Sequence, residues 1–81
     1  MAEPSIDQIE KVITDSLVTF GADADAISRG AELEELDVDS LDLAELSQII
    51  EERFGVELTS SDVAEIKTVG DAIDIVAARA Q

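Results

Sequence analysis

The sequence contains no cysteine and no histidine in 81 residues. No disulfide framework and no thiolate zinc site can form, and neither a Ser-His-Asp nor a Cys-His arrangement can be assembled. Basic residues are scarce, with 5 Lys plus Arg against 20 Asp plus Glu and a formal charge of -15 at pH 7. That balance disfavours nucleic acid, whose phosphates need Lys and Arg, and an anionic membrane surface. It predicts partners with basic surfaces. Aromatic residues are limited to two Phe, and no alternating Val/Ile run is present, so strand signals are poor. The only proline, Pro4, leaves the rest of the chain free to be helical. No apolar run approaches the roughly 20 residues of a membrane-spanning helix. Met1-Ala2-Glu3-Pro4 lacks the basic start and apolar stretch of a signal peptide. The expectation is a single domain over residues 1–81, soluble, cytoplasmic and monomeric. A chain this short buries only about 60% of its unfolded surface, which leaves little room for a cleft holding a full catalytic set. A non-enzyme is expected.

What is present is hydrophobic and patterned. Hydrophobic residues make up 46% of the chain, enough to predict folding rather than disorder, with self-repulsion working against compactness. Ile6, Ile9, Ile13 and Leu17 recur at steps of three and four, an amphipathic helix. Ser5 and Gln8 stand before it at capping-box spacing. Residues 21–38 show no clear period and read as a long loop, pinned by Ile27, Leu33 and Leu36. A loop of that length is uncommon in a small domain unless it is functional. Residues 40–54 form a second helix, with Asp39 as N-cap and Asp42 three residues on. Leu43, Leu46, Ile50 and Phe54 share its inner arc, and Gly55 stops it. Residues 60–66 predict a short third helix with Val63 and Ile66 inward. Thr68 and Asp71 cap a last helix through Val69, Ala72, Ile73, Val76 and Ala80. The fold class is all-α: a small four-helix bundle, three main helices plus a short third one, with a long loop between the first two.

One place in this pattern resists a packing explanation. Leu41 falls on the outer face of the second helix with Ala44, Glu45, Gln48 and Glu52. Ser40 stands just before it at the loop-to-helix junction. The window from Glu32 to Glu45 holds seven acids and no Lys or Arg. A lone surface leucine is common, and a run of acids is usually a solvated face. Together they also read as a docking rim for basic partners around an exposed serine.

These residues resemble the acyl carrier proteins. Asp39-Ser40-Leu41-Asp42 is similar to the family's Asp-Ser-Leu motif, and the resemblance runs from Ile6 to Ala77. It is strongest in Leu36-Asp37-Val38-Asp39-Ser40-Leu41, in Ile50-Glu51-Glu52-Arg53-Phe54-Gly55-Val56 and in Lys67-Thr68-Val69-Gly70-Asp71-Ala72. The last and first of these look like actinobacterial carriers. The resemblance implies that Ser40 receives a 4'-phosphopantetheine arm from coenzyme A, making the chain a phosphoprotein, and that acyl groups ride on the arm as thioesters in fatty acid or polyketide biosynthesis. Nothing in the chain can activate Ser40, so a phosphopantetheinyl transferase must. The resemblance implies cofactor contacts at Asp39 and Leu41. It implies docking of acyltransferase, ketosynthase and related enzymes on Asp37, Asp39, Leu41, Asp42, Glu45, Gln48 and Glu52. It also suggests an acyl pocket from Leu46, Ile50, Phe54, Val63, Ile66 and Ile73, for which ordinary core packing is the competing reading. The family often has Gly at position 37 and an apolar residue at 47 or 48, where this chain has Asp37, Ser47 and Gln48.

Three rivals stand beside this reading. An EF-hand starting at Asp23 would use Asp25 and Glu34, but the ligand at position 5 and the glycine at position 6 are missing; no specific metal site is expected. A peptidyl, aminoacyl or D-alanyl carrier would use the same serine and arm. An acidic interaction domain with Ser40 unmodified would use neither.

Overall fold

A computed structural model describes residues 5–80; Pro4 and the signal-peptide reading of the N-terminus lie outside them. The described chain forms α1 (Ile6–Thr19), a 3-10 turn (Ala24–Ala26), α2 (Ser40–Phe54), α3 (Ser60–Glu65) and α4 (Val69–Arg79). No strand occurs among the described residues; a single antiparallel bridge joins Glu32 to Thr68.

Each helix begins at a reciprocal capping box. The pairs are Ser5 with Gln8, Asp39 with Asp42, Thr59 with Asp62 and Thr68 with Asp71. In each, two of the backbone N–H groups that a helix start leaves without partners are satisfied by side chains. Such caps matter in a chain whose α3 is only six residues long, well short of what is stable alone. Gly55 closes α2 in the left-handed conformation at φ 69°, donating its N–H to the Glu51 carbonyl at 2.9 Å.

The core follows the apolar periods. Ile9, Ile13 and Leu17 of α1 meet Leu46 and Ile50 of α2 and Val69, Ala72, Ile73 and Val76 of α4, all buried. Each such side chain contributes about 1.5–3 kcal/mol by leaving water. Ile6, at the outer end of the α1 pattern, remains exposed. Leu43 and Phe54 on the expected inner arc of α2 are half-buried and pack at the margin of the core.

The long connection is anchored more firmly than its side chains suggest. Leu33 and Leu36 are buried as expected, with Val38 beside them, while Ile27 is only half-buried. The stronger constraint is in the backbone. Leu33 N–H donates to the Lys67 carbonyl at 2.9 Å, Val69 N–H to Ala31 at 3.0 Å and Gly70 N–H to Arg29 at 2.8 Å. The loop is thereby stitched to the start of α4, and it delivers residues 37–39 to the head of α2 in a fixed position.

Candidate functional site

Asp39 and Ser40 divide the work at the head of α2. Asp39 is the N-cap: its Oδ1 accepts from Asp42 N–H at 2.9 Å, and Asp42 Oδ2 accepts in return from Asp39 N–H at 3.4 Å. Ser40 is therefore the first helical residue and not the cap. It is exposed, and its hydroxyl makes no hydrogen bond among the described residues. A serine that is the N-cap has its oxygen committed to a backbone N–H; here the acid one residue upstream has taken that task. Leu41, the next residue, is 79% exposed, the most exposed large apolar side chain among the described residues.

The approach to this serine is unusual in its backbone. Asp37 has φ 61°, the left-handed region that favours glycine. It ends a tight turn in which Asp37 N–H donates to Glu34 and Val38 N–H to Leu33. That φ is the physical reason a glycine would suit this position, where the resemblance leads one to expect it.

Around Ser40 the charge is of one sign. Asp37, Asp39, Glu45, Gln48 and Glu52 are exposed and Asp42 is half-buried. Three of the five basic residues are engaged elsewhere, and Arg53 stands at the far end of α2, in its last turn. Lys11 pairs with Asp15, Arg29 with Asp74 and Arg79 with Asp62, and no ion pair among the described residues touches the acids of α2. The outer stripe of α2 thus offers unneutralised carboxylates around one exposed leucine, the arrangement that steers and orients a basic partner. Asp23, the first residue of the rival EF-hand reading, caps the 3-10 turn by accepting from Asp25 N–H.

Beside Ser40 a groove of about 360 Å³ opens between α2 and α3. Ser40, Ala44 and Ser47 line one wall, and Leu58, Thr59, Ser60 and Val63 the other. Of the six residues expected to form an acyl pocket, Val63 alone lines this groove. Leu46, Ile50, Ile66 and Ile73 are packed in the core, 0 to 6% exposed, and Phe54 is half-buried. The groove is open to solvent, and four hydroxyls, of Ser40, Ser47, Thr59 and Ser60, are among its lining groups.

Sequence reasoning missed Asp62. This carboxylate is only 7% exposed. It accepts from Thr59 N–H at 3.1 Å and from Arg79 Nη2 at 2.7 Å. These two contacts, the backbone donor first, hold it below the usual carboxylate range. Thr59-x-x-Asp62 repeats the pattern of Thr68-x-x-Asp71, so the cap was visible in the sequence; the 17-residue link to Arg79 was not.

The phosphopantetheine attachment site family matches residues 11–76. This chain belongs to that family of carrier proteins. Members bear a covalently attached 4'-phosphopantetheine and are carriers rather than catalysts, served by a phosphopantetheinyl transferase and by synthase enzymes. The fold agrees. The solution structure of the hexanoyl acyl carrier protein of the actinorhodin polyketide synthase from Streptomyces coelicolor matches with a TM-score of 0.75 at 21% identity, over 98% of this chain and 93% of that one. The head of α2 suits such a modification: an exposed hydroxyl without a partner, at a helix start where Ser40 and Leu41 N–H groups have no acceptor among the described residues, conditions that favour an attached phosphodiester. No described helix is long and apolar enough to cross a membrane.

Proposed function

We propose that Ser40 carries the phosphopantetheine arm, and that the chain, as one monomeric cytoplasmic carrier domain, presents acyl intermediates of fatty acid or polyketide biosynthesis to enzymes with basic docking surfaces. The observation that carries this reading is the free, exposed Ser40 hydroxyl beside a capping Asp39. When bound, the arm supplies a thiol that holds acyl groups as thioesters, which this cysteine-free chain otherwise lacks.

The chain's own residues supply position and recognition. Asp39 fixes the first turn of α2 and so the direction of Ser40 Oγ. Leu41 offers an apolar anchor, and Asp37, Asp42, Glu45 and Glu52 surround it with charge that sets on-rate and register. Exposed pairs of this kind are worth about 0.2–1 kcal/mol each, which suits a carrier that must leave one enzyme for the next. Gln48, polar where relatives are often apolar, narrows the apolar footing to Leu41. The hydroxyls of Ser47, Thr59 and Ser60 around an open groove favour short or oxygenated cargo over long saturated chains, and with it the polyketide branch.

Intact mass spectrometry before and after incubation with coenzyme A, Mg²⁺ and a broad-specificity phosphopantetheinyl transferase tests the reading. The expected result is a gain of one phosphopantetheine in the natural sequence and none in Ser40→Ala. An unmodified protein that gains nothing from two different transferases supports the unmodified interaction domain instead.

A further inference from the structure

α3 forms one wall of the groove beside Ser40 through Ser60 and Val63, yet little holds it there. Its one buried residue is Asp62, and Ile66 at its C-cap is the next. Among the described residues, the Asp62–Arg79 contact is the sole side-chain hydrogen bond that ties α3 to another helix. Arg79 lies in the last turn of α4, the helix packed most closely on α1. Arg79 therefore connects a lightly anchored six-residue helix to the best-anchored part of the bundle. A buried carboxylate whose partner is removed is costly, so α3 cannot move outward without either breaking this pair or leaving Asp62 unpaired.

We propose that the Asp62–Arg79 pair is a latch on α3, and that Arg79 is a positioning residue setting how far the groove beside Ser40 can open and hence how long an acyl chain it can shelter. The proposal rests on the carrier reading for its cargo but not for the latch itself. With the pair made, α3 stays in place, Leu46, Ile50 and Ile66 remain packed in the core, and a long chain finds no room. With the pair broken, α3 swings outward on the Thr59 and Ile66 ends, and the space between α2 and α3 deepens over the same apolar residues. The latch works at any pH at which Asp62 is ionised. Among the described residues the only charged group paired with it is Arg79, with the Thr59 N–H as its other partner.

Hydrogen exchange on the unmodified protein tests the latch without the arm. Arg79→Gln removes the charge at a half-exposed site and leaves the α3 cap intact. The amides of Val63 to Ile66 should exchange at least tenfold faster than in the natural sequence, while those of Ile13 and Ile50 keep their rates, and Arg79→Lys should restore most of the protection. Unchanged α3 exchange, or a uniform rise over all helices, overturns the latch. A second arm uses protein loaded with hexanoyl or dodecanoyl groups and follows thioester cleavage by hydroxylamine. The natural sequence should lose both at similar rates, whereas Arg79→Gln should protect the dodecanoyl group several-fold. Equal rates in the variant, with α3 exchange raised, overturn the control of cargo length. Failure of Ser40 to accept the arm is seen separately, as no gain in mass.

Discussion

At the scale of single residues, the site depends on two positions that do not themselves carry chemistry. Asp39 takes the cap and so frees Ser40. Asp37 takes a left-handed conformation at φ 61°, which costs a residue with a side chain about 1–2 kcal/mol, less for Asp than for most. The sequence showed Asp37 where the family often has Gly, but a departure from a pattern does not give a dihedral angle; that came only with the turn between Glu34 and Val38. Asp37→Gly should raise stability by about 0.5–1 kcal/mol, read as a higher urea midpoint. Removing a carboxylate from the acidic cluster would also help, so Asp37→Ala, which removes the charge but keeps a Cβ at positive φ, separates the two effects. A gain in Ala equal to that in Gly would assign the whole effect to charge.

At the scale of elements, the helices were legible and their attachments were not. Capping pairs Ser5/Gln8 and Thr68/Asp71, the Asp39 cap and the α2 stop at Gly55 could all be read directly, because helix ends are written locally in side chains that bond their own backbone. The stitching of the long loop to α4 is written in backbone groups that every residue carries, so no residue type announces it. Gly70 was the available sign. It sits in the first turn of α4, where glycine is a poor choice on propensity, and the reason is space: a Cβ there would lie 2.8 Å from the Arg29 carbonyl oxygen. Gly70→Ala should therefore cost about 1–3 kcal/mol despite its better helix propensity, measured as a lower thermal midpoint. It should also raise exchange of the Leu33 and Val69 amides, whose hydrogen bonds share the seam. The acyl pocket shows the opposite limit. Leu46, Ile50, Ile66 and Ile73 have the character that either a core or a ligand cavity requires, and only the structure shows that Val63 reaches the open groove while the others are packed.

At the scale of the whole molecule, a charge of -15 on 81 residues acts against folding and for recognition. With few cations available, and three of them committed to Asp15, Asp74 and Asp62, the α2 face keeps its acids free at a cost in stability. Raising ionic strength from about 20 mM to about 0.5 M shortens the screening length, and the thermal midpoint should rise by several degrees. No change would show that self-repulsion is negligible. Acid acts in the other direction. Asp62, held down by the Thr59 N–H and Arg79, and Asp71, held down by the Lys67 and Thr68 N–H groups, both lie below the usual range. The unfolded chain therefore binds protons at these groups more readily than the folded one. Their stabilisation is full above the unfolded value near about 3.9 and is lost as pH falls from there through the folded values. Urea midpoints should drop over that window, and less steeply in Asp71→Asn.

The central claim is that the exposed serine released by Asp39 is the point of attachment. The chain offers other hydroxyls for comparison, including Ser47, Thr59 and Ser60 along the same groove. Fragmentation mass spectrometry of the transferase-treated protein reads the position of the arm directly. The account predicts a single phosphopantetheine on Ser40 and none at any other hydroxyl. An arm found on Ser47, Thr59 or Ser60, or distributed among them, would contradict it.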